Sequence, residues 1–200
     1  MKAFAELLER LVYTRSRNDK LRILADYLRD TPDPDRGWAL AALTDATDFP
    51  AVKSSTVRDA VAQRVDPVLL KLSREYVGDT AETVALIWPA DPLQEHSDLS
   101  LGSVVIRLQE TTRQSARKDI AGLLDQLDSS ERFAMLKLAM GGLRIGISAR
   151  LAKTAFAQAF NLDTADVEEV WHALKPPYTS LFEWAEGKAE RPSLDEAAYF

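Results

Sequence analysis

An all-α fold is the expectation from this sequence, and three observations carry it. Apolar residues return at helical spacing, beginning with Phe4, Leu7, Leu8, Leu11 and Val12 at i, i+3, i+4, i+7 and i+8. Residues whose short polar side chains cap helix N-termini precede several of these stretches, among them Asp66, Asp128 and Ser148. Gly and Pro stand where the periodicity stops, as at Gly78, Gly141-Gly142 and Pro176-Pro177.

Taken in order, the first helix covers Phe4 to Val12. After the polar break Thr14 to Asn18 a second carries Leu21, Leu24, Ala25 and Leu28 on one face. Thr31-Pro32-Asp33-Pro34-Asp35 is a loop, because each Pro disfavours the helical region for its predecessor. Trp38 to Ala46 reads as a short apolar helix ended by Phe49-Pro50. Ser54, Ser55 and Thr56 offer N-cap side chains for a helix to about Val65. Asp66-Pro67 opens another, with Leu69, Leu70 and Leu72 expected to be buried. Gly78-Asp79-Thr80 interrupts it, and Ala81 to Trp88 is helical again; 89–100 is the longest polar connection.

Val104, Val105 and Leu108 suggest a helix, with the β-branched pair leaving a short strand open. Ile120, Leu123, Leu124 and Leu127 form the next apolar face. Asp128 and Glu131 have the spacing of a capping box for Arg132 to Met140, and Gly141 suits a left-handed C′ position. Ser148 caps a helix through Phe160, and Asp163 or Thr164 caps Ala165 to Leu174. Residues 186–200 have little periodicity and read as an exit tail. Trp38, Trp88 and Trp171 are expected in the core. No repeat of fixed period supports a solenoid.

Composition removes several function classes. Cys is absent, which excludes disulfides, thiolate metal sites and cysteine nucleophiles. His96 and His172 are far apart in sequence, which argues against transition-metal sites and a Ser-His-Asp triad. No apolar run reaches the roughly 18 residues of a membrane span, and Glu6 and Glu9 interrupt the start where a signal peptide would be apolar. A cytoplasmic protein without membrane contact is expected. The net charge of −6 disfavours nucleic acid, but it is unevenly spread. Residues 51–77 and 113–153 carry an excess of Lys and Arg, so an acidic chain can still present a basic face. Charges grouped on solvated helices give the same pattern.

The most informative motif is Gly141-Gly142-Leu143-Arg144-Ile145-Gly146-Ile147-Ser148, between two well-marked helices. Its glycines permit close approach of the backbone to another surface, and it ends at a Ser-capped helix N-terminus whose free N–H groups and dipole favour a phosphate. Arg144 adds a planar, charged donor fork. The Gly spacing fits neither a P-loop nor a dinucleotide fingerprint. A tight αα-turn whose Arg pairs with a nearby carboxylate is the structural alternative.

With this motif the sequence resembles the N-terminal DNA-binding domain of ATP-dependent DNA ligases, in their bacterial branch. Leu143-Arg144-Ile145-Gly146 lies between a Leu/Met-rich and an Ala-rich helix. Tyr76-Val77-Gly78-Asp79-Thr80-Ala81-Glu82-Thr83-Val84-Ala85 is similar to the family's Gly-Asp segment, and Phe4 to Leu28 to its opening helices. The resemblance covers most of residues 3–185. It implies a multi-helix domain over 1–185 that grips nicked duplex DNA through phosphates and the minor groove, followed by a tail, 186–200, toward a nucleotidyltransferase domain. That domain and an OB-fold domain would be its partners in a monomeric, nucleoid-associated ligase of replication, repair and recombination.

The family's adenylated lysine opens Lys-x-Asp-Gly, and no lysine here does. The chain is therefore expected to be non-catalytic, with ATP and Mg²⁺ needed only by the parent ligase, and to be an excised piece of that ligase rather than a stand-alone relative. Candidate DNA contacts are Lys53, Ser54, Ser55 and Thr56 in the first positive window, Gly78 and Thr80 beside the cap Asp79, and Gly142, Arg144, Gly146, Ser148, Arg150 and Lys153 in the second. Arg113, Arg117 and Lys118 read as an electrostatic fringe or as solvated helix charges. No catalytic or metal-ligating residue is expected. A helical protein–protein interaction domain without a nucleic-acid role is the alternative.

Overall fold

The computed structural model describes residues 1–89, 98–141, 143 and 145–192. His96, Gly142 and Arg144 lie outside the described residues. Those described form twelve α-helices and no strand: α1 Lys2–Tyr13, α2 Arg17–Asp30, α3 Asp35–Leu43, α4 Ser54–Val61, α5 Pro67–Val77, α6 Thr80–Ile87, α7 Leu101–Glu110, α8 Ala116–Gln126, α9 Ser129–Met140, α10 Ala149–Phe160, α11 Thr164–Trp171 and α12 Thr179–Ala185. No helix among the described residues is long and apolar enough to cross a membrane. The chain divides into two compact units, Met1–Glu6 with Asp48–Gly142, and Leu7–Thr47 with Leu143–Phe200.

Local capping explains most of the helix starts. Asp66 accepts from the N–H groups of Val68 and Leu69, with Pro67 pre-set for the first turn. Asp128 and Glu131 make the reciprocal capping box, with the Asp128 N–H donating to Glu131 at 3.0 Å. Asp163, not Thr164, caps α11. Ser100 caps α7, which settles Val104 and Val105 as helical.

In the first unit α6 packs on α9 and α5, and α8 packs on α4 and α7. Val57, Val84, Val104, Val105, Ile120, Leu124, Met135 and Leu136 are fully enclosed there. In the second unit α10 lies against α2, α3 and α11, burying Leu24, Leu28, Leu40, Phe156 and Phe182. The rings of Phe156, Phe160 and Phe182 meet edge to face or tilted.

Several expectations change. Leu69 and Leu72 are exposed, because α5 meets α6 along the line of Leu70, which is buried. Val12 is exposed because it sits about 80° around the helix from Phe4, at the edge of the stripe. Ser54, Ser55 and Thr56 do not cap α4: they are its first three residues, Lys53 holds the N-cap position, and no side chain caps it. That helix ends at Val61, not near Val65. Gly141 has φ 74° but ψ 167°, so the chain leaves α9 extended instead of curling into a left-handed cap. Trp171 is half-buried, stacked on Tyr178 at 4.9 Å. The segment after Pro177 forms α12, and the described residues beyond it are tied back. Glu186 pairs with Arg36, and Arg191 pairs with Asp166 and Glu169.

Candidate nucleic-acid interface

In the second unit, residues at the N-terminal ends of α2 and α10 line one cleft of about 520 Å³: Arg15, Arg17, Lys20, Gly146, Ile147, Ser148 and Leu151. Ser16 caps α2, accepting from the Asp19 N–H at 3.3 Å. Ser148 caps α10, accepting from the Leu151 N–H at 3.1 Å, while the Ala152 N–H bonds the Ser148 carbonyl. The N–H groups of Ala149 and Arg150 then have no intrahelical acceptor, and no acidic residue stands in the first turn of α10.

Among the described residues, three cations and no carboxylate line the cleft. Asp19 is engaged by Arg22 at 3.2 Å. Among the described residues, Arg15, Arg17 and Arg150 have no ion-pair partner. Charge, helix dipole and free donors therefore converge on a site suited to an anion.

Of the sequence candidates, Gly146 and Ser148 line this cleft, and Arg150 is exposed in the first turn of α10. Lys153 is engaged elsewhere, with its ammonium 4.9 Å from the centre of the Trp171 ring. Arg15, Arg17 and Lys20 were not among the expected contacts. The signal available was two arginines flanking the N-cap Ser16.

The first unit holds the other candidates. The N-terminus of α4 is uncapped, and its first internal bond runs from the Val57 N–H to the Lys53 carbonyl. The N–H groups of Ser54, Ser55 and Thr56 thus have no intrahelical acceptor, and Lys53, Ser54 and Ser55 are exposed.

Gly78 ends α5 at φ 82°, a left-handed conformation that favours glycine. The Thr80 hydroxyl accepts from Arg74 at 3.0 Å. Asp79 caps α6 through the Glu82 N–H at 3.0 Å and accepts from the Lys137 ammonium. Burial opposes ionisation of Asp79, but its bonds to Lys137 and to backbone N–H groups outweigh burial and hold the carboxyl below its usual range. The N-terminus of α6 already carries its own anion. Among the described residues, no three His, Asp or Glu side chains cluster as metal ligands would.

Fold and cleft together define an all-helical module with a cationic, carboxylate-free cleft where two helices begin. The family model described as DNA ligase N terminus matches residues 1–157, and the chain belongs to that family, the N-terminal domains of ATP-dependent DNA ligases. No curated protein matches the sequence. The matched region runs from α1 to most of α10, so it contains every described residue of the cleft; α11 and α12 lie outside it.

Proposed function

We propose that the chain binds nicked double-stranded DNA without sequence preference, through phosphates on both sides of the nick and from the minor-groove side, as the DNA-binding domain of an ATP-dependent DNA ligase. The observation that carries this reading is the cleft itself. Two arginines and the free N–H groups of α10 face a space where, among the described residues, the arginines have no ion-pair partner and no carboxylate stands. The uncapped start of α4, beside Lys53, supplies a second phosphate contact. Such contacts hold a duplex in register and read no bases.

Nick sealing in replication, repair and recombination then belongs to the parent enzyme. Its ATP and Mg²⁺ are used by the catalytic and OB-fold domains with which this one works. No lysine of this chain opens Lys-x-Asp-Gly, so its own part is to hold DNA, as a monomer, in the cytoplasm at the nucleoid.

Binding by phosphate contact releases counterions. With roughly 4–6 phosphates neutralised, the logarithm of affinity for a nicked duplex is expected to fall with log salt at a slope of about −4 to −5. Two nicked duplexes of unrelated sequence should give the same curve, and Arg17→Ala should flatten it by about one unit. A salt-independent affinity, or a strong preference for one sequence, overturns the reading.

One observation favours a protein-interaction role as the second reading. Helix α5 exposes Val68, Leu69, Leu72 and Tyr76, the last at 93%. That reading expects no DNA binding at low salt, so the same titration separates the two.

A further inference from the structure

We propose that Lys20 is a positioning residue of this interface: its ammonium, lodged against the carbonyl oxygens of Ile145 and Gly146, fixes the turn that aims the first N–H groups of α10 at a bound phosphate. The inference rests on the DNA-binding reading of the cleft. Lys20 reaches across from α2, 125 positions away in the chain, and donates to Ile145 O at 2.8 Å and to Gly146 O at 3.4 Å.

Among the described residues, the turn it meets shows one internal backbone bond before α10. The Ile145 N–H bonds the Leu143 carbonyl at 2.9 Å, and regular helix bonding resumes at Ser148. Among the described residues, the two bonds from Lys20 are the ones that join this turn to another helix. They also cover two carbonyl oxygens at the rim of the cleft, whose negative ends would otherwise repel a phosphate.

Gly146 shows how closely the two parts are matched. Its φ of +71° already favours glycine, and a Cβ built there would lie 2.6 Å from the Lys20 nitrogen. Glycine at 146 therefore makes room for the ammonium as well as for the backbone. The three described cations of the cleft divide their work. Lys20 is committed to carbonyls, while Arg15 and Arg17 have no partner among the described residues and are free to meet phosphate.

The test uses the full 200-residue chain with Lys20→Met, Lys20→Arg and Arg17→Met. Amide hydrogen exchange at Ile145, which is buried and whose N–H bonds the Leu143 carbonyl, is read without DNA, and affinity for a nicked duplex is read across a salt series. Lys20→Met is expected to speed that exchange and to weaken DNA binding, each about tenfold, the scale of one lost charge-assisted bond. The salt slope should stay unchanged, because no phosphate contact is lost. Arg17→Met should leave the exchange alone and flatten the slope by about one unit. Lys20→Arg, which can still donate to both carbonyls, should recover most of both losses.

Unchanged exchange in Lys20→Met, with DNA binding by the unsubstituted chain intact, overturns the positioning role. A slope flattened by one unit in Lys20→Met overturns it too, since Lys20 would then be a direct contact. Absence of DNA binding by the unsubstituted chain overturns the DNA-binding reading itself, and with it the purpose assigned to Lys20.

Discussion

Gly37→Ala is expected to prevent the second unit from folding. Gly37 lies in α3, where every residue from Arg36 to Leu43 is buried. A Cβ on Gly37 would fall 1.7 Å from the carbonyl oxygen of Pro177 and 2.8 Å from its carbonyl carbon. Both partners are backbone, so no rotamer change relieves the overlap; helix and turn must move apart. The turn has little freedom to do so, since the Tyr178 N–H bonds the Lys175 carbonyl and the Tyr178 ring stacks on Trp171. Overpacking a core costs about 1–3 kcal/mol when side chains can shift, and a backbone collision exceeds that range. The better helix propensity of Ala returns only about 1 kcal/mol.

Gly122→Ala is the control of opposite sign. Gly122 lies within α8 with nothing within 4 Å of a Cβ, so Ala there should stabilise by about 0.5–1 kcal/mol. Thermal melting reads both variants, and proteolysis of residues 7–47 and 143–192 locates the Gly37 effect. A Gly37→Ala protein melting within two or three degrees of the parent would refute the close-packing account.

How far the sequence discloses such features depends on how local they are. Capping is written in adjacent residues, which is why Asp66, Asp79, Asp128 with Glu131 and Ser148 are all legible in the sequence. Where a helix starts without a side-chain cap, the signal misleads or vanishes: Ser54, Ser55 and Thr56 suggest the cap of α4, which begins behind Lys53, and nothing marks α12, which begins behind Tyr178 at φ 60°. Burial of α5 could not be read, because a helix covered along one line of side chains and a deeply packed one share the same Leu-rich pattern. The cleft was half legible. Its glycine turn and Ser148 are contiguous, but Arg15, Arg17 and Lys20 reach them only through the packing of α2 on α10. Arg36 gave no sign at all, since one of its carboxylates is 150 residues away.

Replacing Arg36 with Ala is expected to cost the second unit about 1.5–3 kcal/mol, the range for hydrogen bonds to charged groups, since both carboxylate partners keep some contact with water. Arg36 is 5% exposed. Its Nε and one terminal nitrogen hold both oxygens of Asp33, at 2.9 and 2.6 Å, and the other terminal nitrogen donates to Glu186. Its guanidinium carbon lies 4.2 Å from the centre of the Phe182 ring. Burial disfavours the charge on Arg36, but hydrogen bonds and attraction from Asp33 and Glu186 outweigh burial and keep it protonated. Alanine would leave both carboxylates without their shared cation and the Phe182 ring without its guanidinium cover.

At about 2–4 °C per kcal/mol for a chain of this size, melting should fall by roughly 3–12 °C. Arg36→Lys should lie between the two, because a point charge cannot span both carboxylates. The pH dependence follows from Glu186. Its hydrogen bond to Arg36 is the main cause of a pKa held at about 2 against an ordinary 4.5, helped by Lys188 and opposed by burial. Between those values the unfolded chain binds more protons than the folded one, so stability rises with pH there. The contribution is complete above about 4.5 and is lost as pH falls through 2. Melting profiles from pH 2 to 6 should therefore be steeper in the parent than in Arg36→Ala. Parallel profiles, or an Arg36→Ala melting point equal to the parent's, would show that the pair does not hold α3 to the segment after α12.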